Sequence, residues 1–297
     1  MISVIIPSYN SENTIKSCLD SLLNQSYRGD YEIILVDSSR DRTPEIVSEN
    51  FPEVKLIHLE KKTDPGTARN IGINEAKGEL LAFIDSDCVA ARDWLEKIKS
   101  AHRSNVRVVG GVVMNGNEEG DLIGLAGYIA EFREFIPGQP KREVIHIPTC
   151  NISYKKEIFR DYGVFRKEYY PQEDLFFNYH LWVRGEKILF DPAIQVFHHQ
   201  RSKLKEFLNH QHNIGKTTST ILKEIPLEGS FIVRHPGLAV FLIPFLPIVK
   251  FFRTLIVFLR YRPIIIAKRP LVLVVFTLGL GYWMKGFAQG IFKKTPP

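Results

Sequence analysis

Two carboxylates one residue apart, Asp85 and Asp87, close the apolar run Leu80-Leu81-Ala82-Phe83-Ile84. In an extended chain both point to the same side, where they could present hard oxygens to one divalent cation and the phosphates it carries. Asp and Ser are also ordinary turn formers, so a plain surface turn is the competing reading of Asp85-Ser86-Asp87. Two further polar clusters follow strand-like runs, Pro7-Ser8-Tyr9-Asn10 and Asp37-Ser38-Ser39. If those strands lie in one parallel sheet, an aromatic ring, a lone carboxylate and a carboxylate pair meet at its C-terminal edge, where open α/β sheets bind ligands. Tyr9 could then pack on a base, Asp37 could accept from a base N–H, and Asp85 could take ribose hydroxyls. Gly66 and Thr67 could open a helix whose free N–H groups favour phosphate, with Arg69 as a permanent cation in its first turns.

These groups need elements to hold them. Apolar, β-rich runs at residues 2–6, 31–36, 54–59 and 80–84 alternate with segments of helical periodicity, as βαβ units on a parallel sheet do. Helices are expected over 11–23, from Thr43-Pro44 onward, and over 67–77 with Gly78 as its C-cap. Residues 92–101 read as a helix and 106–114 as a buried strand, whereas 115–138 is glycine- and acid-punctuated and less regular. Strand-like signals return at 147–154, 187–190 and 193–197, with a helix near 175–183 and a polar, basic helical pattern over 202–222.

The tail changes character. Residues 236–249 and 270–284 carry no charge, yet at about 1.5 Å per residue each is short of the roughly 30 Å hydrocarbon layer. Lys250, Arg253 and Arg260 are expected to form one polar stripe on an apolar helix, the pattern of an element lying in a membrane interface. Spanning helices would put the basic stretch with Arg262, Lys268 and Arg269 on the outside, against the positive-inside rule. An interfacial or membrane-embedded helical pair is therefore preferred to a full hairpin, with two buried core helices as the soluble alternative. The expected organisation is a catalytic domain over 1–225, with a nucleotide-binding half 1–113 and an acceptor half 114–225, followed by membrane-associated helices over 226–297.

The net charge of +6 points to an anionic partner. Basic residues thicken after Lys203 among long aliphatic segments, which favours phosphorylated ligand or anionic lipid over nucleic acid. The three cysteines, Cys18, Cys88 and Cys150, are far apart and odd in number, which argues against a disulfide framework or a CxxC metal knuckle and fits a reducing compartment. The chain opens on a strand-like run without a signal core, so the first domain is expected in the cytoplasm.

Four motifs, in order and spacing, resemble family 2 glycosyltransferases: Ser3-Val4-Ile5-Ile6-Pro7-Ser8-Tyr9-Asn10, Ile34-Leu35-Val36-Asp37-Ser38-Ser39, the Ala68-Arg69-Asn70-Ile71-Gly72 core after Gly66, and Phe83-Ile84-Asp85-Ser86-Asp87. The resemblance implies a GT-A fold, a Rossmann-like, mixed but mostly parallel sheet flanked by helices, that uses a nucleotide-sugar donor and inverts the anomeric centre. By the same resemblance Pro7, Tyr9, Asn10, Glu12, Asp37, Ser39, Gly66, Arg69, Asp85 and Ser86 are expected to hold the donor. Pro148-Thr149-Cys150-Asn151 looks like the segment whose Asn151 lies near the transferred sugar. Gln172-Glu173-Asp174-Leu175 looks like the motif whose aspartate, here Asp174, is the general base, with Glu173 supporting it. Val196-Phe197-His198-His199 looks like the late histidine that completes a metal site with Asp87, the doublet leaving His198 and His199 as candidates and Asp85 as an additional ligand.

Two departures stand out: Ser38 replaces the acid or amide often found after the position of Asp37, and no QxxRW motif of processive synthases is present, which implies a single addition. The implied activity is metal-assisted transfer, with Mn or Mg, from a UDP-sugar, the commonest donor of the family, to a lipid-linked or glycan acceptor. It would take place at the cytoplasmic face of the cell membrane, in polysaccharide or glycan biosynthesis. A sugar-phosphate nucleotidyltransferase is the second reading, disfavoured because Pro7-Ser8-Tyr9-Asn10 stands where a glycine-rich phosphate loop would be. A third is a catalytically inactive, membrane-anchored nucleotide-sugar-binding protein. Nothing in the sequence fixes the oligomeric state.

Overall fold

A computed structural model describes residues 1–103 and 105–292, and the chain divides into two compact units. The first comprises residues 1–116 and 139–198, the second residues 117–138 and 199–297.

The first unit is built on one mixed sheet. Its strands are β1 (Ile2–Ser8), β2 (Tyr31–Asp37), β3 (Lys55–His58), β4 (Leu80–Phe83), β5 (Cys88–Ala90), β6 (Val108–Asn115), β7 (Arg142–Val144), β8 (Ile152–Lys155) and β9 (Ile188–His198). They are ordered β3-β2-β1-β4-β8-β6-β9-β5, with β7 on β9. β1 pairs in parallel with β2 and β4, and β2 with β3, so this half of the sheet is wholly parallel. β8 enters antiparallel between β4 and β6, and β6 pairs in parallel with β9. The expected mixed, mostly parallel sheet is thus present. β1 and β4 are buried along their whole length, as a central strand covered on both faces must be.

The expected helices form, with shifted ends. The first starts at Ile15, because residues 11–14 are held in a turn by hydrogen bonds to the Ser11 carbonyl. The third spans Pro65–Glu75, capped by the Asp64 carboxylate accepting from the Thr67 N–H. Gly78 is not its C-cap. A Cβ there would lie 2.7 Å from the Ser3 nitrogen, so this glycine serves the close approach to β1. Gly110 and Gly111 act likewise in β6, where a Cβ would meet the Asn151 and Ile194 carbonyls and the register with β9 slips. The two short runs expected at 187–190 and 193–197 are one strand, β9, carried through that irregularity.

The second unit is helical. The segment expected to be irregular contains the helix Leu122–Phe132, whose N-cap Asp121 accepts from Gly124; its glycines had hidden an otherwise apolar helix. The basic helix Leu204–Glu224 packs along Val272–Phe292 through glycines on both, since a Cβ on Gly215 would overlap the Trp283 carbonyl and one on Gly286 the His212 carbonyl. Compactness therefore groups 204–224 and 117–138 with the C-terminal helices, rather than dividing the chain at residue 225 as expected.

Two stretches of this unit, Pro236–Tyr261 and Val272–Phe292, are long and apolar enough to cross a membrane. Phe241, Phe245, Ile248, Phe252, Ile256 and Leu259 are exposed at helical spacing on the first. The expected basic stripe is split. Arg253 is exposed and pairs with Glu228, whereas the Lys250 ammonium lies over an aromatic face, 4.4 Å from the Trp283 ring centre.

Candidate active site

The loops after β1, β2 and β4 are tied together at the C-terminal edge of the parallel half-sheet. β1 and β2 run in register to their ends, Ser8 opposite Asp37. The Asn10 N–H donates to the Ser39 hydroxyl (2.6 Å), the Arg40 N–H to the Asn10 side-chain oxygen (2.9 Å), and the Ser11 N–H to the Thr43 hydroxyl (2.9 Å). Asn10 sits at φ +54°, a left-handed conformation that asparagine tolerates. Ser11 also shares a 2.8 Å hydrogen bond with Ser86, joining the first loop to the acidic turn. Glu12 accepts from the Arg42 N–H and is exposed, and Pro7 is buried inside β1.

Tyr9 is exposed, with the Lys62 ammonium 4.0 Å from its ring centre. Asp37 is wholly buried. Its two oxygens take the Ser39 hydroxyl and N–H and the His58 Nδ1 at 2.8 Å, so Asp37 is oriented from both sides.

The carboxylate pair is not an extended strand end. β4 stops at Phe83, and the Cys88 N–H closes a turn onto the Asp85 carbonyl (3.0 Å). The turn separates the two acids. Asp85 meets the Arg69 guanidinium at 2.6 Å, whereas Asp87 Oδ1 lies 3.5 Å from His198 Nε2 at the end of β9. Asp87, Cys88 and His198 bring one ligand atom each within 4.8 Å of one another, making them a group able to hold a cation among the described residues. Of the doublet, His198 is the member of this group. Asp85 gives one oxygen, Oδ1, to Arg69.

Arg69 is correspondingly not an open phosphate ligand. It is buried on the helix Pro65–Glu75 and forks between Asp85 and Glu173, the latter at 2.8 Å. Gly66 is needed nearby because a Cβ would come within 3.0 Å of the Glu173 Cγ. Asn70, next in the motif, exchanges hydrogen bonds with the Phe165 backbone. Burial raises the Glu173 pKa, with the Arg69 charge pulling the other way, and Glu173 Oε2 has no hydrogen-bond partner among the described residues. Glu173 therefore belongs to the buried scaffold of the site.

Asp174 opens the helix Glu173–Val183 and is only partly buried. Its Oδ2 accepts from the Thr149 N–H (3.1 Å) and hydroxyl (3.3 Å), and its Oδ1 from the Leu175 N–H (2.7 Å). Asn151 is spent on the fold. It has no exposed surface, accepts from the Trp94 indole (2.8 Å), and donates to the Val112 and Ile194 carbonyls. A side chain so satisfied fixes the chain just after Thr149, the partner of Asp174, instead of facing a sugar.

Sequence reasoning missed His58, Lys62, Cys88 and Thr149. His58 and Lys62 lie at and beyond the end of a short edge strand, outside any motif. Cys88 has no second cysteine at metal-binding spacing, and its only signal in the sequence is that it directly follows Asp87.

Comparison with known proteins gives the family and the fold. The chain is 28% identical over 225 residues to Glycosyltransferase AglE of Haloferax volcanii, covering 72% of each chain. It is 26% identical over 249 residues to a Methanococcus voltae dolichyl N-acetyl-alpha-D-glucosaminyl phosphate 3-beta-D-2,3-diacetamido-2,3-dideoxy-beta-D-glucuronosyltransferase, covering 75% of this chain and 74% of the relative. Its fold is shared with the mannosyltransferase PcManGT from Pyrobaculum calidifontis, solved with GDP-Man and Mn2+, at TM-score 0.63 and 18% identity over 99% of this chain and 88% of that one. Staphylococcus aureus TarS 1–349, solved with UDP-GlcNAc, matches at TM-score 0.56 and 18% identity over 96% of this chain and 90% of that one. The sequence model of Glycosyl transferase family 2 matches residues 3–163, more than half of the chain, and the protein belongs to that family of glycosyltransferases.

Proposed function

We propose that this glycosyltransferase moves one sugar, with inversion, from a nucleoside-diphosphate sugar to a hydroxyl of a lipid-linked or glycan acceptor at the cytoplasmic face of a membrane. The observation that carries the reading is the Asp85–Arg69–Glu173 bridge, which ties the acidic turn after β4 to the N-terminus of the helix bearing Asp174. It joins a donor side and an acceptor side in one cluster.

On the donor side the exposed ring of Tyr9 is offered to the base, the oriented Asp37 to a base N–H, and Asp85, on the unpaired part of its carboxylate, to the ribose. On the acceptor side Asp174 takes the proton. The acceptor oxygen attacks the anomeric carbon from the face opposite the diphosphate, its O–H proton passes to the Asp174 carboxylate, and the bond from the anomeric carbon to the diphosphate oxygen breaks. Thr149 holds Asp174 through two hydrogen bonds to one oxygen, fixing the carboxylate for that transfer. Asp87 and His198 would hold a divalent cation, Mn or Mg, whose charge when bound neutralises that developing on the leaving diphosphate.

The name of the Methanococcus voltae relative gives a dolichyl-phosphate-linked acceptor, which supports a lipid-linked acceptor here. UDP, UDP-GlcNAc and GDP-Man are ligands of the solved neighbours, so uridine and guanosine donors are the first to try. The exposed apolar stripe of Pro236–Tyr261 supports the membrane location, with Arg253 and Arg260 beside it for anionic headgroups. The test is a panel of nucleotide sugars assayed for nucleoside-diphosphate release with Mn present and absent, followed by NMR of the product anomer. Mn-dependent release from one donor, with inverted product, is expected; release of pyrophosphate or retention at the anomeric centre would refute the reading.

A further inference from the structure

The third member of the cation-holding group is a cysteine, and its placement is fixed by the sheet. Cys88 and His198 are direct cross-strand partners of β5 and β9, so their side chains emerge side by side on one face. Asp87 immediately precedes Cys88. The Asp87 Oδ1 lies 3.5 Å from His198 Nε2 and 3.8 Å from Cys88 Sγ. Metal–ligand distances of about 2.0–2.3 Å in a tetrahedral site give donor-to-donor edges of about 3.3–3.8 Å. Both separations fit those edges. Magnesium and manganese favour oxygen ligands and have little use for a thiolate, whereas sulfur with imidazole suits zinc, cobalt and cadmium.

We propose that Cys88, with Asp87 and His198, forms a three-donor oxygen, sulfur and nitrogen site that captures a thiophilic divalent ion through a direct sulfur–metal bond. The inference rests on the reading of Asp87 and His198 as cation ligands. On capture the Cys88 S–H bond gives its proton to solvent and the sulfur lone pair forms the bond to the metal, with no change of oxidation state. A hard ion at the same place engages Asp87 and His198 and leaves the thiol protonated. The site therefore ranks cations by softness, and zinc or cadmium competes with manganese for it.

The experiment titrates the full-length chain with cobalt(II) chloride under argon, with a reductant free of thiols, and reads the sulfur-to-cobalt charge-transfer absorption in the near ultraviolet. The wild type is expected to develop this band to saturation at one cobalt per chain. The band should vanish in Cys88→Ser, fall in His198→Gln and persist in Cys18→Ser and Cys150→Ser. Calorimetry should show cadmium affinity falling roughly tenfold or more in Cys88→Ser while manganese affinity is unchanged. Cobalt binding to the wild type without the band, or a band that survives in Cys88→Ser, overturns the proposal. The wild-type titration decides even if a substitution at buried Cys88 prevents folding. If manganese binds and depends on Asp87 while the cobalt band is missing, only the role of Cys88 fails; if neither ion binds, the cation reading of Asp87 and His198 fails as well.

Discussion

Arg69→Met removes the guanidinium that holds the two sides of the site together, and its effect follows from the burial of its partners. The Arg69 and Glu173 side chains are each 4% exposed and meet at 2.8 Å, whereas the Asp85 side chain is 27% exposed. Deleting one partner of a buried ion pair costs about 3–5 kcal/mol, because the other charge is left without compensation. The more exposed Asp85 pair adds about 1 kcal/mol at most after solvent screening. A loss of about 4 kcal/mol corresponds to a drop of roughly 6 °C in Tm, since the unfolding entropy of a chain of this size is about 0.6 kcal/mol/K. Urea unfolding followed by circular dichroism measures it at pH 8.5, above the Glu173 pKa of about 7, where that carboxylate is ionised. The double variant Arg69→Met with Glu173→Gln removes the stranded carboxylate and should recover a large part of the loss. A single-variant loss below about 1 kcal/mol, or a double variant no more stable than the single, would refute the assignment of Arg69 as the buried clamp.

Glu173 also sets a pH dependence. Burial raises its pKa to about 7, so the folded state takes up a proton that the unfolded chain, titrating near 4.5, does not. Its contribution is full below about 4.5 and is lost as pH rises through about 7, so the wild type should gain on the order of 1 kcal/mol over Glu173→Gln between pH 8 and pH 5.5; parallel stability profiles for the two proteins would contradict this. Asn151→Ala should lose about 3 kcal/mol or more of stability by stranding the Trp94 indole and two buried carbonyls, with the donor KM of the folded enzyme unchanged; a raised KM at full stability would return Asn151 to the sugar pocket. Asp87→Ala should weaken nucleotide binding in the presence of Mn about tenfold or more and leave Mn-independent binding alone, and equal calorimetric affinities would remove Asp87 from the cation site.

The parallel half of the sheet was legible because each of its strands is a short apolar run followed by its own polar cluster, and a central strand can be little else. The positions of Tyr9, Asp37 and the acidic turn at one sheet edge followed from that topology. What periodicity could not show was the division of labour inside motifs. Asp85 and Asp87 look equivalent in sequence, yet a turn closed by the Cys88 N–H sends one to Arg69 and the other toward His198. Arg69 reads as a surface cation until Glu173, 104 positions later, is seen against it. Asn151 reads as a ligand because asparagine is polar, and only its three partners on β6, β9 and the Trp94 helix reveal that it is structural. The helix Leu122–Phe132 was obscured by Gly124 and Gly127, residues that ordinarily weaken helices but here permit close packing against Asn117 and Gln200.

The central claim is that Asp174 accepts the acceptor's proton while the rest of the site binds the donor. Single-turnover transfer from the donor found in the nucleotide-sugar panel, measured beside calorimetric nucleotide affinity for wild type and Asp174→Asn, tests it most directly. The asparagine keeps the size and the hydrogen-bonding oxygen of the side chain but cannot hold the proton. Transfer is predicted to fall by about 100-fold or more with nucleotide affinity unchanged. Transfer at the wild-type rate would contradict the claim, and so would a loss of rate matched by an equal loss of nucleotide binding.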